Sequence, residues 1–76
     1  MNYFLLVYDR SRGVLVSCEQ FAESQRREAL RRRFALEDDF RARPEYEIVV
    51  LGGSSLKHIK QTHGRYFKSV GELAST

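Results

Sequence analysis

The chain has 76 residues, of which 42% are hydrophobic and 30% are charged, and it carries a formal net charge of +3. This length fits a single domain, residues 1–76, whose core is so small that association is a common source of added stability. One cysteine, Cys18, excludes an internal disulfide and therefore the disulfide-rich secreted class. The sequence has no apolar run that could span a membrane and no signal-peptide pattern, so we expect a cytoplasmic protein.

The first two predicted elements are the strands of a hairpin. Residues 2–8 are apolar at both odd and even positions, which is typical of a strand in the middle of a sheet. Residues 9–13 predict a turn in which Gly13 is free to take a positive φ angle. Residues 14–19 predict the second strand, and the more polar side of this strand indicates a position at the sheet edge.

A long helix is predicted next, over residues 22–42, and a third apolar strand over residues 46–51. The Gly-Gly-Ser-Ser stretch at residues 52–55 interrupts that strand, and either serine could cap a short helix that runs to about His63. Residues 65–76 are interpreted as a tail that is at most partly docked on the domain.

The order of these elements is β-β-α-β-α. A right-handed crossover makes the second and third strands parallel, and the apolar first strand then fits between them. The sequence therefore predicts an α+β fold, a small single-layer sandwich of the split β-α-β type. Its sheet is three-stranded and antiparallel with order 2-1-3, and both helices lie on one face. The other face would expose Phe4, Leu6 and Tyr8 to an interaction partner unless the tail covers them.

Residues 22–43 hold seven of the ten arginines of the chain. Helical periodicity places most of them on the outer side, where acids four residues earlier can pair with them. The predicted pairs are Glu23 with Arg27, Glu28 with Arg32, Glu37 with Arg41, and Asp39 with Arg43. The arc predicted to face the core holds Ala22, Ala29, Leu30, Phe34, Leu36 and Phe40.

Three charged residues, Arg26, Arg33 and Glu37, fall inside that apolar arc. A lone buried charge is costly, but Arg33 and Glu37 are four residues apart and can pair while their stems lie on apolar surface. Alternatively, half of the arc packs on the sheet and the other half on the last helix or another subunit, with these charges at the boundary. The candidate interface residues are therefore Arg26, Arg33, Glu37, Phe4, Leu6 and Tyr8.

The sequence predicts no cofactor, no metal and no enzymatic activity. His58 and His63 lack the spacing of metal ligands on one helix face, and no acid–base pair is recognisable. Residues 53–71, in contrast, contain basic residues and no acid, and the loop at 52–55 has a weak resemblance to anion-binding loops. The candidate anion or nucleic-acid contacts are Arg10, Arg12, Ser54, Ser55, Lys57, Lys60, Arg65 and Lys68.

Two functions from different classes are consistent with these patterns. The favoured hypothesis is a non-enzymatic interaction module that forms a homodimer or joins a protein complex. The alternative is binding of nucleic acid or another polyanion through the basic last helix and the tail.

Overall fold

The computed structural model describes residues 1–67, which form one antiparallel sheet and two helices. The strands are β1 (Asn2–Asp9), β2 (Val14–Phe21) and β3 (Tyr46–Gly53). The helices are α1 (Arg26–Asp39) and α2 (Leu56–Thr62), and 3-10 turns lie before α1 at Glu23–Gln25 and after α2 at Gly64–Tyr66. The sheet order is β2-β1-β3, which confirms the predicted order and the α+β class.

β1 is the central strand, as its two apolar faces predicted. Four consecutive side chains, from Phe4 to Val7, are at most 1% exposed. Alternate residues of a strand point to opposite faces, so β1 contributes to two separate cores. Both faces of the sheet therefore need cover.

The two helices meet this need by packing on opposite faces of the sheet. Leu36 of α1 packs against Leu5 and Val7, on one face. Ile59 of α2 packs against Phe4 and Leu6, on the other. The prediction that both helices lie on one face is therefore wrong, because β1 is apolar on both sides and each helix buries one of them.

α1 spans 14 residues and is shorter than the predicted stretch of 22–42. Tight turns replace the helix at both ends. The Ala22 N–H donates to the Gln25 side chain at 2.9 Å, and the Arg43 N–H donates to the Phe40 carbonyl at 2.9 Å. These local bonds satisfy backbone groups that lie beyond the ends of the helix.

The hairpin between β1 and β2 turns at Gly13, whose φ of 67° lies in the left-handed region that glycine tolerates. The Asp9 carboxylate accepts hydrogen bonds from the Ser11 hydroxyl at 2.7 Å and from the backbone N–H groups of Ser11 and Arg12. These bonds, that of the Ser11 hydroxyl foremost, lower the pKa of Asp9 from its ordinary value of 3.8. The pairing register shifts between Val7 and Tyr8, which leaves Val16 as a bulge in β2.

Gly53 is the last residue of β3 and lies beneath α2, and we expect Gly53→Ala to destabilise the fold. An added Cβ would lie 2.7 Å from Cδ1 of Ile59 and 3.0 Å from Cδ2 of His58. Because Ile59 is completely buried, it has little room to move, and overpacking of this kind costs roughly 1–3 kcal/mol. Urea unfolding measures the loss, with Gly64→Ala as control, since a Cβ there would meet nothing within 4 Å. Equal stability of the two variants would contradict this packing.

Candidate interaction surface

Only a narrow strip of α1 faces the sheet. Ala29 and Leu36 are buried and Phe40 is partly buried, as the helical pattern predicted. Phe34 is 65% exposed and Ala22 is also exposed, so their prediction as core-facing residues is wrong. The physical reason is that a helix lying on a sheet touches it along one line of side chains, so the apolar arc is wider than the contact.

The exposed part of this arc faces the β3 side of the sheet. On the flank of α1 that faces β2, Arg32 Nε donates to a Glu19 carboxylate oxygen at 3.1 Å. At 100° per residue, Leu30 and Phe34 lie on the opposite flank. Because β1 lies between β2 and β3, Leu30 points toward the β3 side of the sheet, whereas Phe34, about 140° around the helix from buried Ala29, lies on the same side of α1 but points mainly away from the sheet.

This flank, here called the seam, combines apolar and charged side chains. The Arg33 Nε donates to Glu37 Oε1 at 2.7 Å, and both side chains remain about two-fifths exposed, at 41% and 42%. The predicted ion pair between these two residues is therefore confirmed. The residues of the seam are Arg26, Leu30, Arg33, Phe34 and Glu37.

The other ion pairs of α1 differ from the predicted ones. Within residues 1–67, Glu28 pairs with Arg31 at 3.2 Å and Asp38 pairs with Arg41. Both pairs are three residues apart instead of four. Arg32 pairs with Glu19 on β2, Glu37 pairs with Arg33, and Glu23 pairs with the N-terminal amine, so three of the four predicted i, i+4 pairs lose a partner. Within residues 1–67 the two i, i+3 pairs neutralise part of the outer face of α1, and none of the four predicted pairs forms.

The outer edge of β3, meaning the side turned away from β1, is not paired with any other described strand. The apolar run Ile48–Leu51 on this strand is only partly buried. Edge strands usually carry charges, prolines or bulges that prevent further pairing. β2 has the bulge at Val16, whereas β3 is regularly paired over its eight residues and has one charge, Glu47.

The sequence did not single out this edge as part of a site. The apolar run was interpreted through its two faces, and the backbone groups along its outer edge were not considered. Its position on the same side as the seam became apparent only when the path of α1 across the sheet was known.

The predicted open face around Phe4, Leu6 and Tyr8 is covered. Phe4 and Leu6 are 0% exposed, beneath Ile59 and Tyr66. Tyr8 packs edge-on against Tyr66, with ring centroids 5.3 Å apart. Phe4 and Leu6 therefore offer no surface to a partner, and the prediction that this face is open is wrong. The reason is that α2 packs on this face together with Tyr66, which belongs to the start of the predicted tail, the alternative to a second subunit as cover.

The predicted anion contacts divide into two groups at opposite ends of the sheet. Arg10 and Arg12 follow the end of β1 that pairs with Tyr46, and Ser54 follows the end of β3 that pairs with Asn2. The seven residue steps between these ends span roughly 24 Å. The Ser55 hydroxyl caps α2 by accepting the His58 N–H at 3.1 Å, as predicted. Lys68 lies outside the described residues.

Among the remaining basic residues, Arg65 is held by an acid. Its Nη2 lies 2.8 Å from Oε2 of Glu47 and 2.7 Å from the Tyr66 hydroxyl, and its guanidinium carbon lies 4.1 Å from the centre of the Tyr66 ring. Lys57 and Lys60 form no ion pair within residues 1–67. Among the basic residues of α2 and the turn after it, Lys57 and Lys60 are therefore the ones that could contact a polyanion.

The Tyr66 hydroxyl donates to Glu47, and we expect this bond to make stability depend on alkaline pH. Burial, and then the bond to Glu47, raise the pKa of Tyr66 above its ordinary value of 10.0. The raised pKa favours the neutral phenol in the folded state, so this contribution is complete below about pH 10 and is lost as pH rises through the folded pKa. Tyr66→Phe should cost about 1 kcal/mol at neutral pH and flatten the loss above pH 10.

Denaturant unfolding between neutral pH and pH 11 measures this dependence. Tyr3→Phe is the matched control, because the Tyr3 hydroxyl makes no hydrogen bond within residues 1–67. The same alkaline slope in wild type and in Tyr66→Phe would contradict the assignment.

No three metal-binding side chains come together within residues 1–67, and none of the helices in this part of the chain has the length and apolarity to cross a membrane. No protein-family model, curated protein or solved structure matches the chain.

Proposed function

We propose that this protein is a small non-enzymatic interaction module that self-associates through the seam of α1. The observation that carries the proposal is the position of Phe34. This aromatic side chain is 65% exposed, and helical spacing places it next to Glu37 of the Arg33–Glu37 ion pair, on the β3 side of α1 and turned away from the sheet. An exposed aromatic with apolar and charged neighbours is typical of a protein interface.

Charge complementarity favours a second copy as the partner. In a two-fold dimer the same patch is used by both copies, so it has to be complementary to itself. Two antiparallel α1 helices bring Arg33 of each copy against the partner's Glu37. The same alignment places Phe34 of the two copies on either side of the axis, where each ring can bury the other.

The proposal also includes a cytoplasmic location and the absence of catalysis. A chain with one cysteine forms no internal disulfide, which is consistent with a reducing compartment. Cys18 lies on β2, where burial is the main cause that raises the pKa of its thiol. A raised pKa disfavours the thiolate, which is the nucleophilic form.

An NMR dilution series tests where the contact lies. The backbone signals of Leu30, Phe34 and Glu37 should shift with protein concentration in the micromolar range, because these residues change surroundings on association. The signals of the turn at Ser11 and Gly13 serve as the internal control and should stay fixed. Signals of the seam that do not change with concentration would contradict the proposal.

The second candidate function is polyanion binding through α2, and the observation that favours it is that Lys57 and Lys60 have no ion-pair partner within residues 1–67. If these lysines contact phosphates, log affinity should fall linearly with log salt concentration. Alanine at both positions should then reduce the slope by about 1.4–1.8, which corresponds to two lost phosphate contacts. Electrophoretic shift or fluorescence anisotropy with single- and double-stranded DNA gives the slopes, and Arg27→Ala on the outer face of α1 is the control. An unchanged slope, or no binding at low salt, would exclude this function.

A further inference from the structure

We infer that two copies of the chain join edge to edge through β3, so that the dimer contains one continuous six-stranded antiparallel sheet. This inference rests on the proposed self-association and specifies its geometry. It adds the outer edge of β3 to the seam as the second half of one interface.

The backbone of β3 provides the first argument. A strand that pairs on one side only leaves backbone N–H and C=O groups along its other side, and these groups can pair with another strand. β3 pairs with β1 over all eight of its residues without a shift in register. It is therefore a long and regular template, and its apolar run Ile48–Leu51 lacks the charges and prolines that usually prevent such pairing.

The other edge of the sheet provides a contrast within the same protein. β2 has an irregular register at Val16, and Glu19 on this strand is engaged by Arg32 of α1. A bulge and a charged pair are typical features of an edge that stays unpaired. The two edges thus differ in the way expected if only β3 is used for assembly.

The position of α1 provides the second argument. Antiparallel pairing of two β3 strands about a two-fold axis normal to the sheet leaves both α1 helices on the same face, antiparallel to each other. α1 packs mainly over β1 and β3. If each helix axis lies midway between these strands, spaced about 4.8 Å apart, the two helices are roughly 10 Å apart. Helices in contact pack at about 8–10 Å, so strand pairing and helix packing can occur together.

The seam then forms the contact between the helices. The seam lies on the β3 side of α1, which is the side on which the partner's α1 lies in this arrangement, and Phe34 meets the partner from the outer surface of the helix pair. Arg33 faces the partner's Glu37 in both halves of the dimer. A foreign strand could pair with β3, but it would leave Phe34 without cover, so a second copy is the occupant that satisfies both surfaces.

Isotope-filtered NMR on a half-labelled dimer tests this geometry. One copy carries ¹³C and ¹⁵N and the other does not, so the filtered spectrum shows only contacts between copies. We expect cross-peaks between the β3 backbones of the two copies and between their Phe34 rings. A dimer with contacts between helices but none between β3 strands would overturn this inference and leave the proposed function standing, whereas a monomer would overturn both.

Amide hydrogen exchange supplies a second measurement that needs no variant. The exchange rate of the outward N–H groups of β3 should be lower by a factor of about ten or more at concentrations where the dimer forms than in dilute monomer. The outward N–H groups of β2 are the matched control and should not change. Equal exchange of the β3 amides in dimer and monomer would also overturn the inference.

Discussion

Phe34→Gln should abolish self-association at micromolar concentration and leave the fold of the monomer unchanged. Phe34 is 65% exposed, so its replacement removes little packing from the monomer, and glutamine is at least as good a helix former as phenylalanine. In the dimer two phenylalanine rings lose their cover. Since part of each ring already contacts its own chain, the loss is roughly 2–4 kcal/mol, or about 30-fold to 1,000-fold in Kd.

The matched control for this variant is Val16→Gln. Val16 is also apolar and 50% exposed, but it lies on β2, at the opposite edge of the sheet. We expect this variant to dimerise like wild type. Light scattering gives the mass of each protein, and thermal unfolding of dilute samples confirms that both monomers are folded. Equal loss of dimer in both variants, or in neither, would contradict the assignment of the interface.

Reversal of the seam charges should have the second largest effect. In the Arg33→Glu dimer, an acid at position 33 of each copy faces the acid at position 37 of the other. In the Glu37→Arg dimer, two bases face each other at the same positions. Each single variant thus loses two attractive contacts and gains two repulsive ones. With about 0.2–1 kcal/mol for each exposed pair, we expect Kd to rise about tenfold or more.

Mixing the two variants should restore association. One copy then presents two acids and the other presents two bases, so both contacts across the axis are attractive again. The double variant Arg33→Glu with Glu37→Arg should also recover the homodimer, because it exchanges the two charges. Native mass spectrometry of the mixture distinguishes heterodimer from homodimers, and circular dichroism controls for loss of the helix. Failure of the mixture to pair would show that these residues do not face each other.

Much of the fold followed from the pattern of apolar residues. β1 is apolar at both odd and even positions, and this pattern located it correctly at the centre of the sheet. Gly13 marked the turn, and the serines after β3 marked the start of α2. These features depend on local periodicity and backbone conformation, which neighbouring residues determine.

The placement of α2 could not be predicted in this way. Whether a helix after β3 folds over one face or the other depends on which side chains remain uncovered in three dimensions. Ile59 fits over Gly53 on the face opposite α1, and that fit involves the shape of both residues. Sequence periodicity shows which side of a helix is apolar but does not show which face of the sheet it meets.

The candidate surface was predicted in part. The inward position of Arg33 and Glu37 relative to the apolar arc correctly indicated an ion pair on an otherwise apolar flank. Phe34 was assigned to the core, because periodicity cannot tell how far around a helix the contact with the sheet extends. The exposure of Phe34 is what shifts the hypothesis from the covered face around Leu6 to the seam.

Sedimentation equilibrium over a concentration series tests the central claim most directly. It measures the average mass in solution without labels, substitutions or an assumed shape. We expect the mass to rise with concentration from the 8.9 kDa of one chain to twice that value, with half-association in the micromolar range. A mass that stays at that of one chain at every concentration would contradict self-association, and with it both the seam and the edge pairing of β3.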